Sequence, residues 1–324
     1  MTPEHSKENL PATYGGPGWQ TREQTLAEEI AVGRLWHPCG CTSEWQPLKE
    51  VILHLPGREL DFSEDPDRML MREKPALASI RQQAKEVAAI YQAEGITVHF
   101  TELAGRPPAN FLFQRDLFWA TPQGVVLARP AARQRAGEER YMAKVLAELE
   151  VPIIFHPHGR GTFEGADALW LDERTVLVGT GIRTNREGAA QLHGLLANMD
   201  VELLETPLSE GCQHLLGVIN FVDRGLAVVN GARATSQLTG LLDRRGVRQI
   251  VLPRNQELTE GLGMNFVTLA PRRILMPAGC PGIRMRLQQS GLTVLEAEIS
   301  EYRKAAGGVA CLTGILLRDQ SVMA

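Results

Sequence analysis

The sequence predicts an α/β fold: five ββαβ repeats with pseudo-fivefold symmetry, closed into one array. Three observations carry this. A hairpin pattern recurs about every 50 residues, a helix pattern follows each hairpin, and incomplete units at the two ends of the chain complete one another. The hairpins fall at 117–129 (LFWATPQGVVLAR), 169–181 (LWLDERTVLVGTG), 220–232 (NFVDRGLAVVNGA) and 267–279 (VTLAPRRILMPAG). In each, β-rich runs flank Pro, Gly, Asp or Arg, the residues a tight reversal needs.

Helices are expected at 137–150, 185–199, 235–245 and 283–290, where apolar residues recur at spacings of three and four. A third strand-like run follows each, at 151–155, 201–204, 249–252 and 292–295. Near the N-terminus, a strand at 48–55, a helix within 74–94 and a strand at 96–100 supply most of a fifth unit. Its missing strand is expected at 310–317. Residues 1–40 are therefore read as an N-terminal extension and 41–324 as a single domain whose last strand completes the first unit.

Of the 324 residues, 44% are apolar and 22% charged, which argues against disorder, collagen and coiled coil. No apolar run reaches the roughly eighteen residues of a membrane span, and the first residues lack a charged-then-apolar signal pattern, so a cytoplasmic protein is expected. With 34 Lys and Arg against 38 Asp and Glu, the net charge of −4 gives no basis for binding nucleic acid. Five cysteines are too few and too scattered for a disulfide framework and are read as thiols.

If the units share one backbone path, residues at equivalent places converge. Asp116, Glu164, His214 and Asn265 stand 48, 50 and 51 residues apart in succession, each just before the first strand of a hairpin. Any one alone would be unremarkable as a local cap. All four in one register predict a polar ring at one mouth of the array. Cys311, in the Gly-rich GGVACLT stretch before the completing strand, is placed beside that ring and paired with His214 as nucleophile and acid/base. Cys39 and Cys41 are too close together for a zinc knuckle, and no metal site is expected; their role is left open. Cys212, two positions before His214, reads equally as a residue near the site or as a small buried hydrophobe, and Cys280 reads as structural.

These residues resemble the guanidino-group-modifying enzymes: arginine deiminases, dimethylarginine dimethylaminohydrolases and amidinotransferases. The marks are SEWQPLKEVILHLPGREL at 43–60, FQRDLF at 113–118, FEGAD at 163–167, GTGIRTN at 179–185, QHL at 213–215 and GGVACLT at 307–313. The resemblance implies a five-bladed α/β propeller. It also implies Cys311 as nucleophile, His214 as general acid/base, Glu164 and Asp116 as guanidinium-holding carboxylates, and Asp167 as the acid supporting the histidine. Arg183 is implied as a clamp on a substrate carboxylate, with Arg133 or Arg135 as a second. Asn265, from the ring, joins the substrate-binding set. No cofactor is implied.

Two departures stand out. The family's EGGD is here Glu164-Gly165-Ala166-Asp167, and the His-x-Asp of deiminases and amidinotransferases is here His214-Leu215-Leu216. An apolar residue in place of that aspartate fits a substituted guanidine better than a bare one, since an alkyl group needs no hydrogen-bond partner. The function expected is cysteine-dependent hydrolysis of arginine or an N-substituted, arginine-like guanidine. It would give a citrulline-like ureido product plus ammonia or an alkylamine. Transfer of the amidino group to an amine, or a non-catalytic binding protein on the same fold, are the alternatives. The expected partner is a small guanidino molecule, selected by loops at 15–21, 58–72 and 159–162; a homodimer is left open.

Overall fold

A computed structural model describes residues 10–101, 103 and 105–320; the first nine residues of the expected N-terminal extension and the last four residues lie outside the described residues. After a short helix α1 (Leu26–Val32), capped by a reciprocal Thr25–Glu28 box, the chain enters β1 (Leu48–His54), α2 (Leu77–Ala93) and β2 (Thr97–Thr101). The second blade is β3 (Phe118–Thr121), β4 (Gly124–Leu127), α3 (Glu138–Glu148) and β5 (Ile153–Phe155). The third is β6 (Ala168–Asp172), β7 (Thr175–Thr180), α4 (Arg186–Ala197) and β8 (Glu202–Pro207). The fourth is β9 (Ile219–Asp223), β10 (Leu226–Asn230), α5 (Ser236–Arg244) and β11 (Arg248–Leu252). A one-turn α6 (Gln256–Thr259) leads to β12 (Val267–Ala270), β13 (Arg273–Pro277), α7 (Pro281–Gln289) and β14 (Thr293–Ala297). The chain ends through α8 (Ser300–Lys304), α9 (Val309–Leu312) and β15 (Gly314–Arg318).

Each sheet has three strands in one pattern: the first antiparallel to the second, the second parallel to the third across the helix. The terminal strand β15 takes the first place in the sheet of β1 and β2, pairing antiparallel with β1. The chain is thus a five-bladed α/β propeller. Burial explains the sequence pattern: β4, β7 and β10 are buried along their whole length, so they read as continuous apolar runs. The outer strands β5 and β8 are largely half-exposed or exposed and mix apolar with polar residues.

The polypeptide just before the first strand of several blades forms tight turns that pack on one another: Gln114–Asp116 against Gly165–Asp167, that turn against Leu215–Gly217, and α9 against Gln114–Asp116. This ring of turns carries the site. One element differs from the sequence reading. Residues 309–312 make a helical turn, and the strand begins only at Gly314, because the backbone N–H groups of Ala310 and Cys311 bond the side-chain oxygen of Asn265 and are withdrawn from any ladder. Among the described residues no helix is long and apolar enough to cross a membrane.

Candidate active site

Glu164 lies at the centre, fully buried, in extended backbone just ahead of its turn. Gly165 is obligatory beside it: a Cβ there would stand 2.3 Å from the Phe118 carbonyl oxygen and 2.6 Å from that of Arg115. Ala166 has no positive φ, so the alanine in place of the family's second glycine is accommodated without backbone strain.

His214 Nε2 donates to Glu164 Oε2 at 2.7 Å and lies 3.9 Å from Asp116 Oδ1. The guanidinium of Arg135 bridges the two acids, its Nη1 donating to Asp116 Oδ2 at 2.7 Å and to Glu164 Oε2 at 3.1 Å, while its other side is held by Glu138. Arg183 Nη1 approaches both Glu164 oxygens at 3.4 Å. The two arginines implied as alternatives for the second clamp are thereby separated: Arg135 is buried among carboxylates and Arg133 is exposed. Asp116 Oδ1 is buried with no hydrogen-bond partner in the protein, an unsatisfied acceptor 3.9 Å from His214 Nε2.

Asp167 acts through the backbone. Its Oδ1 accepts the N–H of Leu215 at 2.9 Å and its Oδ2 the hydroxyl of Thr184 at 2.7 Å, fixing the chain immediately after His214. Asn265 serves the cysteine: Nδ2 donates to Cys311 Sγ at 2.9 Å while Oδ1 receives the N–H of Ala310 at 2.8 Å and of Cys311 at 3.1 Å. Gly308 permits that approach, since a Cβ would stand 2.7 Å from Asn265 Oδ1. His214, Cys311, Asn265 and Leu216 line one cavity of about 220 Å³.

Electrostatics follow from burial and these pairings. Burial alone would raise Glu164, but Arg135, the His214 hydrogen bond and the charges of His214 and Arg183 outweigh it and hold the carboxyl well below the usual range. Burial alone would lower His214, yet the carboxylates of Asp116, Asp167 and Glu164 push it up to about 9, so it is imidazolium at neutral pH. Burial, then the Asp116 charge, push Cys311 up to about 11 against the opposing pull of Gly308, Asn265 and Arg135. Asp167 is raised to about 6, chiefly by burial.

Asp116, Glu164 and His214 bring donor atoms within 4.8 Å of one another, as do His37, Glu50 and His99. The first set fits a metal poorly, because the Arg135 guanidinium already bridges its carboxylates and would repel a second cation. In the second, partly buried set, Glu50 Oε2 accepts from His37 at 2.8 Å and His99 at 2.6 Å, tying the segment before β1 to the β1–β2 edge.

A family model for arginine deiminase matches residues 58–238. The chain belongs to the arginine deiminase family of guanidino-modifying enzymes. It is a hydrolase of that family, acting on carbon–nitrogen bonds of amidino groups. A protein of Aeropyrum pernix is 31% identical over 245 residues, 73% of this chain and 86% of that one. The N(G),N(G)-dimethylarginine dimethylaminohydrolase of Pseudomonas aeruginosa is 26% identical over 268 residues, 82% of this chain and 98% of that one. A solved structure of a Pseudomonas aeruginosa dimethylarginine dimethylaminohydrolase complexed with citrulline superposes with a TM-score of 0.69 at 21% identity, covering 84% of this chain and all of that one. An amidinotransferase of the saxitoxin pathway of Microseira wollei superposes at 0.72 with 17% identity, covering 89% and 99%. These two likenesses establish the fold that the blades show.

Proposed function

We propose that the enzyme hydrolyses a small arginine-like guanidine through a covalent amidino–Cys311 intermediate. The observation that carries this is the convergence on one cavity of the Cys311 thiol and the His214 imidazolium, with the buried Glu164 and Asp116 carboxylates behind the histidine. A planar guanidinium donates in forked pairs to carboxylates in its plane, and the unpartnered Asp116 Oδ1 is such an acceptor.

In the free enzyme Cys311 is a thiol and His214 an imidazolium at neutral pH. A cationic substrate beside the sulfur favours thiolate, as any neighbouring cation does. The thiolate adds to the guanidinium carbon. As that carbon–nitrogen bond breaks, His214 gives its proton to the departing nitrogen, and ammonia or an amine leaves an amidino group on sulfur. The neutral imidazole then takes a proton from water. Hydroxide adds to the same carbon, the carbon–sulfur bond breaks, and the ureido product leaves with the thiolate restored. Asp167 and Asn265 are positioning residues in this scheme, the first for His214 and the second for Cys311.

The test is a panel of arginine, monomethylarginine, dimethylarginine and shorter guanidino acids, assayed for ureido product and for released amine. Ureido product formed in stoichiometric step with the amine, without any added amine, is expected. Turnover that requires an added amine acceptor would assign amidino transfer instead.

A further inference from the structure

The cavity that holds Cys311 and His214 also holds two cations with no counter-charge. Arg72, at the end of the loop before α2, reaches it from one side, its Nη2 donating to the Thr259 carbonyl at 3.5 Å. Arg233 reaches it from the fourth blade, its Nη1 donating to the Glu210 carbonyl at 3.0 Å. Gly211, at φ +75°, leaves room for that guanidinium: a Cβ there would lie 2.9 Å from Arg233 Nη1. No aspartate or glutamate lines the cavity. A second cavity of about 230 Å³ shares Arg233 and Thr259 with the first and adds Arg254, again without an acid. Among the described residues none of these three arginines enters an ion pair. Arg135 and Arg183, by contrast, are ion-paired, Arg135 with Asp116, Glu138 and Glu164 and Arg183 with Glu164.

We infer that Arg72 and Arg233 form the seat for the anionic end of the substrate, and that the preferred substrate is a guanidino carboxylic acid without an α-ammonium group. This rests on the guanidino-hydrolase reading above and deepens it. Two guanidiniums whose hydrogen-bonding partners are neutral carbonyls keep their charge and their remaining N–H groups for a carboxylate. The same acid-free wall offers an ammonium no carboxylate and places it near two like charges, which is unfavourable. The carboxylates of Glu164 and Asp116 behind His214, beyond one end of the cavity, and the arginines at the other end match a molecule that is cationic at its guanidine and anionic at its tail.

The test is calorimetric binding to the Cys311→Ser enzyme of δ-guanidinovalerate, arginine and pentylguanidine, which differ only in the carboxylate and ammonium at the far end. δ-Guanidinovalerate should bind at least about tenfold tighter than pentylguanidine and tighter than arginine. In Arg233→Gln and Arg72→Gln versions of that enzyme the tenfold preference should collapse to about threefold or less, and Arg233→Lys should restore part of it. Equal binding of δ-guanidinovalerate and pentylguanidine, no binding of either, or a preference undiminished in both glutamine variants overturns the seat. Tighter binding of arginine than of δ-guanidinovalerate overturns the claim about the ammonium. If the preference and its loss are found but the cysteine-bearing enzyme turns over no guanidine, the seat stands and the hydrolase reading fails.

Discussion

Asn265 holds Cys311 from two sides, its amide N–H on the sulfur at 2.9 Å and its carbonyl oxygen on the cysteine's own backbone N–H at 3.1 Å. The first bond favours thiolate and the second fixes the turn that carries it. Asn265→Ala should therefore lower kcat by roughly ten- to hundredfold, the equivalent of a charge-assisted hydrogen bond, with KM changing little. Asn265→Asp should be worse, because a carboxylate has no N–H to give and repels the thiolate. A loss confined to KM would assign the amide to substrate contact.

The raised thiol of Cys311 predicts an uncommon reactivity profile. Alkylation by neutral iodoacetamide should climb with pH well beyond the usual thiol value of about 8.5, because burial and Asp116 disfavour the thiolate. A cationic haloacetamidine should react faster than iodoacetamide at neutral pH, since it brings the positive charge the thiolate needs. A plateau below pH 8 with the neutral reagent would contradict the arrangement.

Leu216 is buried on the cavity wall two positions after His214. Leu216→Asp supplies an acceptor for an unsubstituted guanidine N–H, so the ratio of kcat/KM for a bare guanidine over its N-alkylated analogue should rise by roughly ten- to hundredfold where geometry permits. Burial of the new carboxylate raises its pKa and lowers both rates, which is why the ratio is the quantity to follow. A flat or falling ratio in a folded, active variant would show that Leu216 does not select substituted guanidines.

His214 also bears on stability. Its pKa is raised from about 6.5 to about 9 in the folded chain, so the stabilisation it brings is fully present below about 6.5 and is lost as pH rises through 9. The Tm of the wild type should fall more steeply between pH 7 and 9 than that of His214→Asn. Parallel curves would show that the imidazolium is not held by the acids around it.

The blades were legible because hairpins whose central strands are buried on both faces leave continuous apolar runs, such as VVL in β4 and VLV in β7, bounded by turn residues. The one-turn helix at Val309–Leu312 was not, since it depends on a side chain from Asn265, far away in the chain. The seven-residue helix α1 lies in the stretch read only as an extension, although Thr25 and Glu28 spell a capping box. Register alone grouped Asp116, Glu164 and His214, whose reacting atoms the structure sets within 3.9 Å of the histidine. It did not separate Arg133 from Arg135, which share one tight turn but face opposite ways, nor reveal that Asn265 grips the cysteine. Arg72 and Arg233 carry no local motif at all. They line one cavity only because the loop before α2 is brought against the segment that links the fourth blade to the fifth.

The covalent intermediate is the centre of the account, and acid-quenched peptide mass spectrometry during turnover of a guanidino acid reads it directly. The amidino group should appear on the peptide bearing Cys311, rise and decay with product formation, and be absent from Cys311→Ser. Steady turnover with that peptide unmodified at every time point, or an adduct on Cys39, Cys41, Cys212 or Cys280 instead, would contradict it.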